Sequence, residues 1–311
     1  SNAEEMKIQG AAGFIKFALG ENVKQSNWGN EYTSRFPQTR MGVEQLYYDH
    51  FQRARDYRAS QVSMLAGRQK ERNKGGMGSL RKDLEMEALS EILESKRFIT
   101  CHSYVQSEIN MLMHVADSMG FRVNTFTHIL EGYKVADKMK KHGAGASTFS
   151  DWWAYKFEVR EAIPYNAALM SAQGITVAIN SDDAEMGRRL NQEAAKGVKY
   201  GGMSEEEAWK MVTLNPAKLL HLDERMGKVA AGMDADIVMW SDNPLSIYAL
   251  VEKTYVDGVC YYDRELDQKN MKEMALERAK IIERMAGEDG KDKKKPSADD
   301  KHRYHCDHEG H

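Results

Sequence analysis

The stretch Ile175-Thr176-Val177-Ala178-Ile179-Asn180-Ser181-Asp182-Asp183 is a short apolar run that stops on polar and ionisable residues. Its length, its β-branched side chains and its turn-forming end predict a strand over 175–180. Successive strand residues point to opposite faces, so Val177 and Ile179 share one face, and Thr176, Ala178 and Asn180 share the other with Asp182. The first face suits packing beneath helices. The second carries an ionisable end inward.

The same rhythm runs backward through the chain. Phe14-Ile15-Lys16-Phe17 is followed by a Gly/Asn-rich loop and a helical pattern from Met41 to Arg72. Phe98-Ile99-Thr100-Cys101 is closed by His102 and precedes a helical pattern over 106–119. Arg122 to Thr127 is closed by His128, and Ala144 to Thr148 forms a fourth apolar run. Strands alternating with helices predict an α/β protein with a parallel sheet. Lys16 shares its face with Phe14, and His102 with Thr100 and Phe98, so both can converge on one axis.

Beyond Asp182, helical patterns cover 185–199 and 204–222, the second opened by the capping box Ser204-Glu205-Glu206-Glu207. The run from Gly227 to Trp240, with 251–256 and 259–262, then reads as short antiparallel strands, and Asp257-Gly258 is a hairpin signal. A final helix is expected over 268–285. The tail from Gly287 is too charged and too poor in apolar residues to fold by itself.

With 311 residues, 41% hydrophobic and 29% charged, the chain can bury one large core with a small satellite. A formal charge of -3 and the lack of basic clusters interleaved with aromatics argue against a nucleic-acid partner. No apolar run reaches the roughly 20 residues needed to span a bilayer, so no membrane is expected. Ser1-Asn2-Ala3 reads as the scar of a protease-cleaved tag, which leaves localisation open. Cys101, Cys260 and Cys306 are odd in number and far apart, giving neither a disulfide framework nor a metal knuckle.

In parallel barrels the chemistry gathers at the C-terminal ends of the strands. Lys16, His102, His128 and Asp182 occupy such ends. Two imidazoles and a carboxylate suit zinc or a similar divalent ion and leave a position for water. Taken singly, each has a structural explanation: a hydrogen-bonded histidine, a helix-capping aspartate, a snorkelling lysine. Trp152, Trp153 and Tyr155 follow the fourth run as candidate walls of a substrate pocket. Arg40 is a candidate clamp for a substrate carboxylate. His302, His305, Cys306, His308 and His311 resemble an adventitious metal cluster on the tail.

Several of these pieces together resemble the amidohydrolase superfamily, in its imidazolonepropionase-like branch. They are Gly13-Phe14-Ile15-Lys16, Cys101-His102-Ser103, Thr127-His128, Asn180-Ser181-Asp182, Thr213-Leu214-Asn215-Pro216-Ala217 and Gly232-Met233-Asp234-Ala235-Asp236-Ile237-Val238. The resemblance implies a partial TIM-type (β/α)8 barrel, about strands 4–8, over 11–222, then the C-terminal part of a small β-sandwich domain over 223–265. A C-terminal helix at 266–286 and a charged, His-rich, disordered tail at 287–311 complete the expected organisation, after the scar at 1–3. By the same resemblance His102, His128 and Asp182 are metal ligands after the fifth, sixth and eighth strands. Lys16 matches the fourth-strand position, where many members carry a carboxylated lysine bridging two metals. Glu21 is the fallback carboxylate there, and Asp183 is the rival to Asp182 as general acid/base.

The implied activity is hydrolysis of a C–N bond, in a cyclic amide or dipeptide-like small molecule, by water activated on one or two divalent ions, zinc first. Full members open with a His-x-His strand, and nothing here supplies it. The expectation is therefore activity only with an N-terminal segment, and self-association or pairing with that missing half. The competing expectation is a non-catalytic fragment serving as an interaction module.

Overall fold

The computed structural model describes residues 2–24, 35–70, 81–152 and 154–287. Trp153 and the tail from 288 onward, with its His/Cys cluster, lie outside the described residues. The five runs read above form one parallel sheet of β1 (Gly13–Ala18), β2 (Arg97–Ser103), β3 (Val123–His128), β4 (Gly145–Thr148) and β5 (Val177–Ile179), side by side in chain order. Mixed α/β architecture with a parallel sheet is thus what the alternation of strand and helix patterns produced.

The helices follow the strands. α1 (Glu21–Lys24), α2 (Arg40–Lys70) and α3 (Leu84–Leu93) lie between β1 and β2, α4 (Gln106–Met119) after β2, α5 (Ala136–His142) after β3 and α6 (Asn166–Ala172) after β4. Cys101, Phe126, Val177 and Ile179 face these helices and are buried with Phe51, Ile109, Leu112, Val115, Met139 and Met170 in one core. Phe51 of α2 stacks on Phe121 with centroids 4.0 Å apart, which ties the long helix to the sheet.

The two helical patterns after Asp182 each divide. They become α7 (Ala184–Gly187) with α8 (Leu190–Gly201), and α9 (Glu205–Lys210) with α10 (Leu214–Leu219). The second break follows from Pro216, which lacks an N–H and crowds the preceding turn, so it is tolerated only in the first turn of a new helix. A three-stranded antiparallel sheet of β6 (Ile237–Trp240), β7 (Val251–Val256) and β8 (Val259–Asp263) comes next. Its hairpin turns on Asp257 and Gly258, both at positive φ (51° and 77°), as a two-residue primed turn requires. α11 (Arg264–Gly287) begins on Asp263, whose carboxylate accepts the N–H groups of Glu265 and Leu266.

Candidate active site

His102 is the next-to-last residue of β2, and the register pairs it with Thr127. The same register pairs Ser103 with His128, so regular alternation would send the His128 ring to the face opposite His102. The rings nevertheless meet, with centroids 4.2 Å apart in an edge-on arrangement. The left-handed φ of 65° at His128 breaks the alternation, and Ile129 follows at φ 39°. Such conformations cost about 1–3 kcal/mol each in non-glycine residues and cluster at functional sites.

Both imidazoles are held neutral. Burial pushes His102 down to about 3, helped by the charges of His128, Lys16 and Lys156. Burial, then Lys16 and Lys156, pushes His128 down to about 4. The Asn22 amide lies 3.2 Å from His102 Nε2, and since an amide nitrogen only donates, Nε2 is the lone-pair nitrogen. His128 Nδ1 is buried with no hydrogen-bond partner, and Asp182 Oδ2 stands 4.0 Å away. The structure therefore brings Lys16, His102, His128 and Asp182 to one end of the sheet, with Lys16 exposed and Asp182 solvent-accessible. Among the described residues, no three His, Cys, Asp or Glu side chains are gathered closely enough to form a ready-made ion cage.

Neighbouring acids have other partners. Asp183 caps α7 by accepting the N–H groups of Glu185 and Met186, at 2.9 and 2.8 Å. Glu21 pairs with buried Lys24 at 3.2 Å. Arg40, at the start of α2, pairs with the buried carboxylate of Glu108 at 3.2 Å.

Four aromatics wall the histidines. Tyr104 meets the His102 ring at 4.8 Å, Phe149 meets His128 at 5.0 Å, and Trp152 stacks on Phe149 at 4.2 Å. Tyr155 closes the row edge-on to Trp152 and hydrogen-bonds Tyr104. Lys156 Nζ lies 4.1 Å from the Tyr104 ring centre and 3.5 Å from buried Glu158. The sequence reading passed over Asn22, Tyr104, Lys156 and Glu158. Tyr104, two residues beyond His102, and Lys156, next to Tyr155, could have been found by extending the search past each strand end.

Residues 111–262 match the model of the amidohydrolase family. The chain is 32% identical over 263 residues to amidohydrolase tasK of Hapsidospora irregularis, a match covering 80% of this chain and 26% of that protein. It is 29% identical over 167 residues to the imidazolonepropionase of Thermoplasma volcanium, covering 51% of this chain and 40% of the relative. The crystal structure of an amidohydrolase from Thermotoga maritima MSB8 superposes with a TM-score of 0.71 at 28% identity, over 84% of this chain and 65% of that one. The chain thus spans 26% and 40% of the lengths of these two curated relatives.

Proposed function

From the premise that this chain carries an amidohydrolase-family domain, we propose that its strand ends form a metal-dependent site hydrolysing a C–N bond in a small cyclic amide or dipeptide-like substrate. The observation that carries this reading is the buried, unpartnered Nδ1 of His128, beside neutral His102 and 4.0 Å from the Asp182 carboxylate. A buried polar nitrogen without a partner is costly, and a cation relieves that cost. The donor set fits zinc or a similar divalent ion. His102, His128 and Asp182 would hold it, with Lys16 adding a bridging carbamate if carboxylated. When bound, such an ion supplies Lewis acidity and a water acidic near neutral pH.

The chain's own groups supply the rest. Asp182 Oδ2 accepts the proton of the attacking water and returns it to the leaving nitrogen. Buried Tyr104 and Phe149, with Trp152 stacked on Phe149, exclude water around the reacting bond. Arg40, Tyr155 and Trp153 are candidate substrate contacts.

Among the described residues β1 and β5 are the edge strands of the parallel sheet, each paired on one side, and open edges are pairing templates. We therefore assign the complete site to this chain together with further strands, from an N-terminal segment or a second copy, in a partial (β/α)8 barrel. The same open edges favour a second reading, a non-catalytic interaction module.

Elemental analysis after zinc loading decides between them. The expected result is zinc bound by the chain, with loss of at least half in His102→Ala and His128→Ala, and amide hydrolysis once upstream strands are supplied. Zinc-free protein and no hydrolysis with those strands present would overturn the enzyme reading.

A further inference from the structure

We propose that Thr148 and Asn166 form a clamp that turns the His128 imidazole onto the face of His102, making them positioning residues for the site. The inference rests on the metal-site reading above only for its functional consequence. Its geometry stands alone. An extended φ at His128 would return its ring to the face of Ser103, its partner in the register, and separate the two imidazoles. Two consecutive left-handed residues, the second β-branched, persist only where the surroundings impose them.

The surroundings here are specific. Asn166 Nδ2 donates to the Ile129 carbonyl at 2.9 Å and to Thr148 Oγ1 at 3.0 Å. Thr148 Oγ1 must accept that bond, because an amide nitrogen has no acceptor capacity. Its single proton is thereby left for the His128 carbonyl, 2.8 Å away. Asn166 Oδ1 accepts the Tyr133 N–H at 2.9 Å, so the amide's donors and acceptor are all used. The His128 carbonyl is thus held by the Thr148 side chain, and the Ile129 carbonyl by the Asn166 side chain together with the Gly132 N–H at 3.0 Å. Asn166 is 2% exposed and Thr148 is 0% exposed, so no water substitutes for either bond. The Ile129 N–H, bonded to the Ser103 and Thr127 carbonyls at 2.8 and 2.9 Å, completes the hold.

The chain acquires this clamp from distant places: Thr148 closes β4, and Asn166 opens α6. An asparagine is needed at 166. Aspartate has the same shape but no donor, and would aim a charge at the Ile129 carbonyl oxygen. Neither residue touches the proposed reacting atoms. Both act through the backbone of residues 128 and 129.

The test uses the full chain with Thr148→Val, Thr148→Ser and Asn166→Asp, with folding checked by far-UV circular dichroism. Thr148→Val keeps the shape and loses the hydroxyl, whereas Thr148→Ser keeps the hydroxyl. The ring-nitrogen NMR signals of His128 and its nuclear Overhauser contact with His102 are read without metal. Cobalt(II) binding is read separately by visible absorbance. The expected result is a lost His128–His102 contact and cobalt affinity roughly ten- to hundredfold weaker in Thr148→Val and Asn166→Asp, with Thr148→Ser near the parent. An unchanged His128–His102 contact in folded Thr148→Val overturns the clamp. A parent chain that binds no cobalt counts against the metal reading, while the metal-free NMR contact still decides the clamp.

Discussion

Glu158 ties the start of α1, just past β1, to the site through a single carboxylate. Its Oε1 accepts the Glu21 N–H at 2.9 Å, and a Cβ added to Gly20 would stand 2.6 Å from that same oxygen. Gly20 also has φ 77°, so Gly20→Ala meets both a blocked space and a disfavoured backbone. Since Glu158 is buried and engaged, it has little room to retreat. We expect Gly20→Ala to lower stability by about 1–2 kcal/mol, measured by urea unfolding; a change below a few tenths would show that the Glu158 contact yields freely. Asp182 and Asp183 show the limits of reading single residues from sequence. Adjacent acids after a strand are interchangeable on paper, and parity favoured Asp182. In the fold, Asp183 is spent on two backbone N–H groups of α7, and Asp182 has left-handed φ 49° and faces His128. His128 is the opposite lesson, since its identity as a strand-end histidine was legible but the direction of its ring was not.

At the scale of elements, local signals served best where they were complete. The pattern over 106–119 became α4 with those bounds, ended by Gly120 at φ 67°. The helix α3 was missed, although Asp83 caps it by accepting the N–H groups of Glu85 and Met86 and Met86, Leu89 and Ile92 recur at helical spacing. α3 is tied to α2 by Glu87, whose carboxylate accepts Tyr57 Oη at 2.7 Å and Gln61 Nε2 at 2.8 Å. The Tyr57 bond, then that of Gln61, holds the Glu87 carboxyl below its ordinary range. A depressed carboxyl stabilises the fold above its unfolded pKa, and that contribution disappears as pH falls through the folded value. Glu87→Gln, which mimics the protonated acid, should therefore be less stable than the parent at pH 7. The gap should close as pH drops below about 4. Urea midpoints of the two proteins across this range provide the check, and a pH-independent gap would refute the charged tie.

At the scale of the whole molecule, a parallel sheet with two open edges among the described residues coexists with exposed apolar side chains. Val238, Met239, Val256, Val259 and Tyr261 of the antiparallel sheet are exposed, as are Met271, Met274, Ile281 and Ile282 along α11. Exposed apolar side chains in this number on one sheet and its following helix are the kind of surface that interfaces use. We expect sedimentation equilibrium to give a mass above the 35.4 kDa of one chain; a single 35.4 kDa species would remove the self-association reading. Among the described residues, no helix is long and apolar enough to cross a membrane. By itself the sequence determined the alternation of strands and helices, the Asp257-Gly258 hairpin and the placement of His102, His128 and Asp182 at or just beyond strand ends. Those features follow from period-two and helical patterning and from turn chemistry, which act over a few residues. Only the tertiary structure decided that the two imidazoles meet, that Asp183 caps a helix while Asp182 stays accessible, and that Asn166 holds a turn at 128–129. Each depends on hydrogen bonds and φ values imposed by residues distant in the chain, for which local patterning carries no signal.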